Sequence, residues 1–120
     1  MAVITSYRDL TIWNEAMDLC ERIYHLTGRF PKNEQYGLVI QMRRAVVSIP
    51  SNIAEGFVRK HPKEFKNFLS ISLASIAELD TQLTLSARLN YIPHEDVHEA
   101  LAASELLSRR ITKFYKGIRT

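Results

Sequence analysis

Apolar side chains recur every three or four residues along most of the chain, which is the spacing of amphipathic helices. Glycine and proline are few, and they fall near the ends of the periodic segments, with Pro50 as the exception. The pattern predicts four helices, at about residues 9–28, 33–58, 62–90 and 93–117. Asn33 is the expected N-cap of the second helix. The sequence therefore predicts one all-α domain over residues 1–120, an antiparallel up-down four-helix bundle.

The first helix places apolar residues at core spacing from its start to its end. These residues are Leu10, Trp13, Met17, Cys20, Ile23, Tyr24 and Thr27. Cys20 is the only cysteine of the chain, so no internal disulfide can form. We expect it to be a small buried hydrophobe rather than a reactive thiol.

The second helix has an ordinary core stripe that crosses a proline. The stripe consists of Leu38, Met42, Ala45, Val46, Ile49, Ile53 and Phe57. Because its phase is kept across Pro50, we predict one helix, kinked where proline removes the hydrogen bond to the Val46 carbonyl. The hydroxyls of Ser48 and Ser51 are expected to help satisfy backbone groups near the bend.

The opposite side of the second helix is also apolar, which is unusual for the surface of a monomer. We predict that this side is the interface of a homo-oligomer. Its residues are Ile40, Arg44, Val47, Ser48, Ser51, Ala54, Glu55 and Val58. Arg44 and Glu55 are the expected charged specificity elements. The alternative is a monomer with scattered surface hydrophobes.

Positive charge is concentrated in the middle of the chain. The net charge is only +3, but residues 37–66 hold six Lys and Arg against two Asp and Glu. The candidate nucleic-acid-binding residues are Arg59, Lys60, Lys63 and Lys66. Lys63 and Lys66 fall in the first turns of a helix, where the dipole disfavours cations and a bound phosphate would relieve them. The alternative is a solvated turn that only keeps the protein soluble.

Other features of the sequence limit the kind of ligand and chemistry that we expect. The nearby aromatics Phe57 and Phe65 lie in core phase, so binding should be to the phosphate backbone with little sequence specificity. The cations that end the fourth helix are explained by the helix dipole alone. These are Arg109, Arg110, Lys113, Lys116 and Arg119.

The segment "HEDVH", residues 94–98, matches the H-E-x-x-H pattern of zinc proteases. Leu101 and Ser104 stand where the extended pattern has glycine and histidine, and no glutamate lies about 20 residues further on to supply a third ligand. We therefore predict no metal, no cofactor and no enzymatic activity. No stretch approaches the roughly 20 apolar residues of a membrane span, and the start "MAVITSYRDL" lacks the pattern of a signal peptide, so a cytoplasmic location is expected.

Several segments together resemble the bacterial 23S rRNA intervening-sequence protein family. They are "LTIWNEAMDL", "SIPSNIAEG", "ELDTQL" and "LNY". The resemblance runs from about Tyr7 to Tyr91 and covers the fourth helix by pattern only. It implies a four-helix bundle, a homopentamer and, from related accessory proteins, binding to nucleic acid and to a reverse transcriptase.

The residues and the resemblance together predict a non-enzymatic homo-oligomer that binds nucleic acid, with RNA favoured, through a repeated basic surface. The alternative is a protein-binding scaffold or accessory subunit with no direct role on nucleic acid.

Overall fold

Four long helices account for most of the computed structural model, which describes residues 3–120. They are α1 (Thr11–Thr27), α2 (Leu38–Val58), α3 (Pro62–Arg88) and α4 (His94–Gly117). Single 3₁₀ turns at Tyr7–Asp9 and Lys32–Glu34 precede α1 and α2. The range 3–120 contains no strand, so its fold is all-helical as predicted. The first two residues of the predicted domain lie outside the part that the structure describes.

Each long helix packs against two others around one core. α2 lies against α1 and α3, while α4 lies against α3 and α1. The core is aliphatic, and its largest fully buried members include Ile23, Met42, Leu79, Leu83 and Ile111. Each side chain of this size stabilises the fold by roughly 1.5–3 kcal/mol relative to an exposed position.

α2 begins at Leu38 rather than near Asn33, so the predicted N-cap is wrong. The reason is Gly37, whose backbone (φ −115°, ψ −106°) separates the preceding 3₁₀ turn from the helix. The Leu38 N–H donates to one carboxylate oxygen of Glu34 at 3.2 Å, and the Tyr91 hydroxyl donates to the other at 2.6 Å. These two hydrogen bonds, that of Tyr91 first, lower the pKa of Glu34. Glu34 thus satisfies a free backbone donor of the first turn.

The buried face of α1 differs from the predicted one. Met17 and Tyr24 are 40% and 43% exposed, so their assignment to the core is wrong. The buried residues of this helix are Ile12, Ala16, Leu19, Cys20, Ile23, Leu26 and Thr27. The buried stripe of α1 faces α2 and α4, and Met17 and Tyr24 lie one position beyond the buried Ala16 and Ile23, outside that stripe.

Pro50 lies inside a single continuous helix, as the phase of the core stripe predicted. Proline has no N–H to give to the Val46 carbonyl, and the Cys20 thiol of α1 donates to that oxygen instead, at an S···O distance of 3.3 Å. The Ser48 hydroxyl accepts a hydrogen bond from Ser75 of α3 at 2.9 Å and does not serve the backbone at the proline. The Val46 carbonyl is therefore satisfied by Cys20 of α1 and not, as was expected, by Ser48.

Stability should fall at alkaline pH because of Cys20. Burial, with a smaller effect from the charge of Glu21, raises the pKa of this thiol from 9.0 to about 11. The folded state therefore holds the proton more tightly than the unfolded state, and this contribution is complete below pH 9 and lost as the pH rises towards 11. Between pH 8 and about pH 11, chemical denaturation should show the wild type losing about 2 kcal/mol more than a Cys20→Ser variant. Equal losses in the two proteins would contradict a protonated, buried thiol.

Candidate nucleic-acid interface

The turn between α2 and α3 consists of Arg59, Lys60 and His61. Lys60 adopts a left-handed backbone with φ of 56°, and its N–H donates to the Phe57 carbonyl at 3.3 Å. Glycine is common at this position after a helix, because a side chain there costs about 1–2 kcal/mol in strain. Pro62 then opens α3, where its missing N–H removes no helical hydrogen bond. The chain thus keeps a lysine where its backbone is unfavourable.

Two of the four predicted cations make contacts within the molecule. The Arg59 guanidinium lies 3.7 Å from the carboxylates of both Glu55 and Glu64. The Lys66 ammonium lies 4.6 Å from the centre of the Tyr115 ring of α4. Exposed ion pairs stabilise little, but the two carboxylates offset the charge of Arg59. Arg59 is therefore less available to a ligand than its position in the sequence indicates.

Lys60 and Lys63 are exposed. Within residues 3–120, no carboxylate lies within ion-pair distance of either ammonium. These two lysines are the part of the predicted cluster that is open to an anionic partner.

The last turns of α4 bring further lysines to the same end of the molecule. The Phe114 ring packs against Phe65, near the start of α3, with ring centroids 5.6 Å apart. Lys113 and Lys116 on these turns are exposed. We call the resulting surface the basic end, and it comprises Lys60, Lys63, Lys66, Lys113 and Lys116. Sequence reasoning missed the two α4 lysines because the helix dipole alone explained them.

An open cavity of about 490 Å³ lies beside the basic end. Its walls come from the α2–α3 region and from both ends of the chain, and they include Ile4, Thr5, Phe57, Lys60, Phe65 and Ile118. Phe57 and Phe65 pack edge to face, with centroids 6.0 Å apart, and both are only partly buried. We call this space the end cavity.

The apolar residues of the predicted oligomer interface form a strip along one side of α2, with polar residues beside them. Val47 and Val58 are 40% and 56% exposed, and Ile40 and Ala54 are half-buried. We call this strip, with its polar neighbours, the outer face. A depression of about 420 Å³ lies on it where α1 adds Tyr24.

The polar residues on and beside the outer face differ in their exposure and in their side-chain contacts. Arg44 and Ser51 are exposed. Glu55 pairs with Arg59, so the outer face and the α2–α3 turn share one ion pair. Arg43, which also borders the depression, stacks its guanidinium 4.4 Å from the centre of the Tyr24 ring.

Ser104, the polar member of the α4 core stripe, is fully buried. Its hydroxyl donates to a carboxylate oxygen of Asp80 on α3 at 2.5 Å. Burial raises the pKa of Asp80, against the lowering effect of this hydrogen bond. This hydrogen bond joins α3 to α4, so we assign Ser104 and Asp80 a structural role in the packing of the two helices.

The H-E-x-x-H segment lies at the start of α4 with both histidines exposed. The His94 ring nitrogen Nε2 lies 3.0 Å from the side-chain oxygen of Asn90. In the part of the chain that the structure describes, no three His, Cys, Asp or Glu side chains are placed to hold a metal ion together. The same part has no helix whose length and apolar character would suffice to cross a bilayer.

Comparison with known proteins agrees with an all-α protein of four long helices. The family model described as 23S rRNA-intervening sequence protein matches residues 8–113. The chain belongs to this family. The fold is similar to the crystal structure of a protein of unknown function from the S23 ribosomal protein family of Bacteroides thetaiotaomicron, with a TM-score of 0.82 and 22% identity over 88% of this chain and 99% of that one. No curated protein matches the chain.

Proposed function

We propose that this protein is a non-enzymatic homo-oligomer that binds nucleic acid, with RNA favoured, through its basic end. The observation that carries the proposal is the meeting of lysines from the α2–α3 turn, α3 and α4 at one end of the molecule. Near this end Glu15 pairs with Arg110, and Glu55 and Glu64 share Arg59, so the ion pairs use arginines and leave the lysines of the basic end exposed or facing an aromatic ring. A polyanion is the class of ligand that such a surface attracts most strongly.

Assembly through the outer face supports this function. In the proposed arrangement the four helices form an antiparallel up-down bundle, α2 bends at Pro50, and the exposed apolar strip meets a second copy of the chain. The resemblance to the family favours a pentamer, and the features of the sequence lead us to expect it in the cytoplasm. Repeating the basic end in every subunit would raise the affinity for a long nucleic acid, because each further contact is made at high effective concentration.

Binding through lysines should depend steeply on salt and weakly on sequence. Neutralising several phosphates releases condensed counterions, so affinity should fall by about ten-fold or more between about 50 and 200 mM salt. Fluorescence anisotropy with labelled RNA and DNA measures this directly. If neither RNA nor DNA binds at the lower salt concentration, the proposal is wrong and the scaffold alternative is favoured.

Two double variants with the same net charge distinguish the effect of the basic end on RNA binding from the effect of overall charge. Lys63→Glu with Lys113→Glu should weaken RNA binding by about ten-fold or more, because two phosphate contacts become repulsive. Lys32→Glu with Arg88→Glu changes the net charge equally at exposed positions elsewhere and should have a much smaller effect. Similar losses in both variants would mean that only the overall charge matters.

Replacing Lys60 by glycine tests binding without harming the fold. Glycine relieves the left-handed backbone at this position, so Lys60→Gly should raise the free energy of unfolding by about 1 kcal/mol. The same change removes a cation of the basic end and should weaken RNA binding. A loss of affinity in a more stable protein cannot be attributed to misfolding.

A further inference from the structure

The end cavity has the size and wall chemistry of a ligand site. Its volume of about 490 Å³ falls within the roughly 300–1,000 Å³ of typical small-ligand pockets. Its walls are mostly apolar and include the aromatic residues Phe57 and Phe65, and Lys60 is among the lining residues. The cavity therefore differs from the exposed lysines around it, which offer charge without an enclosing surface.

The two aromatic residues that line the cavity are not fully buried in the core. Phe57 and Phe65 lie in the phase of the core stripes, yet both are only half-buried. Phe65 packs edge to face against Phe57 and also contacts Phe114, so its position is fixed from two sides. Both residues also line the open cavity, so part of their surface is accessible from it.

Lys60 supplies the charge next to these rings. It occupies the strained left-handed position with φ of 56°, where glycine would be more stable. Strained backbone of this kind clusters at functional sites. Lys60 lines the end cavity, and Lys63 stands exposed one turn further along the chain.

We propose that the end cavity takes one unstacked base of a single-stranded nucleic acid, with its flanking phosphates at Lys60 and Lys63. This inference rests on the proposed function and narrows it to single strands. In a duplex the bases stay paired and stacked, so only the phosphates reach the protein. In a single strand a base can leave the stack and pack against an aromatic side chain, which adds affinity with little discrimination among bases.

The first experiment compares two ligands that differ only in their bases. The full-length protein without a tag is titrated with labelled oligothymidylate and with an abasic deoxyribose-phosphate strand of equal length, at one salt concentration. The strand with bases should bind about ten-fold more tightly, since stacking adds to an equal phosphate contribution. Equal affinities would overturn the cavity inference while leaving the proposed function intact. Failure of both strands, RNA and duplex to bind would overturn both.

The second experiment removes one aromatic ring from the cavity. Phe57→Leu should abolish most of the advantage of the base-bearing strand and leave the affinity for the abasic strand unchanged. The control is Phe30→Leu, which removes a ring that packs against Tyr91, with centroids 5.5 Å apart, and does not line the cavity. Thermal unfolding of both variants checks that they are folded. An undiminished advantage in folded Phe57→Leu would overturn the inference.

Discussion

Val47→Glu should convert the proposed homo-oligomer into a monomer of 13.8 kDa. Val47 lies on the outer face between Ile40 and Ala54, each seven residues away, and 40% of it is exposed in the single chain. A glutamate at the centre of an apolar contact would bury a charge without a partner, which costs several kcal/mol for each copy of the interface. Size-exclusion chromatography with light scattering measures the mass of wild type and variant.

The control for this prediction is Leu106→Glu on α4. Leu106 is 45% exposed, close to the value for Val47, but it does not belong to the outer face. The same charge placed there should leave the oligomer intact. The interface prediction fails if the wild type is itself a monomer, or if Val47→Glu keeps the wild-type mass.

Gly56→Ala should destabilise the fold although alanine is the better helix former. A Cβ atom at position 56 would lie 2.6 Å from Cβ of Phe68 and 2.9 Å from a ring carbon of Phe65. Because the Phe68 Cβ is fixed to its backbone, α2 and α3 must move apart locally. Such overpacking costs typically 1–3 kcal/mol and outweighs the gain of up to about 1 kcal/mol in helix propensity. A lower midpoint of thermal unfolding at a fixed protein concentration would report the loss.

Gly117→Ala provides the comparison within the same protein. Position 117 ends α4, and a Cβ there would meet no atom within 4 Å. Alanine at this site should be neutral or slightly stabilising. A similar loss in both variants would assign the effect to glycine itself and remove the argument for a close approach of α2 and α3.

The helices were predictable because local chemistry marks most of their ends. Pro62 and Pro93 fall at the starts of α3 and α4, and the core stripe shows that α2 continues through Pro50. The start of α2 was missed because it depends on the backbone of Gly37 and on a carboxylate of Glu34. Neither the backbone conformation of Gly37 nor the hydrogen bond to Glu34 can be predicted from the spacing of apolar residues.

The candidate site was less predictable, because it joins segments that are far apart in the chain. The turn lysines could be found from their spacing, but the nearness of Lys113 depends on how α4 packs against α3. The phase of Phe57 and Phe65 correctly indicates that they face inward. It cannot reveal that the space beside them stays open, because that space is bounded by residues near both ends of the chain.

The end cavity has a practical consequence for the purified protein. Ile4, Thr5 and Ile118 all line it, so residues from the start and the finish of the described range 3–120 lie close to the same cavity. A histidine-rich purification tag inserted next to Ile4 or Ile118 would therefore start beside the cavity and compete with a ligand there. The nearness of Ile4 and Ile118 also favours circular permutation. Joining residues 4 and 118 by a short linker and opening the chain at the exposed Asn90 would carry the tag away from the end cavity.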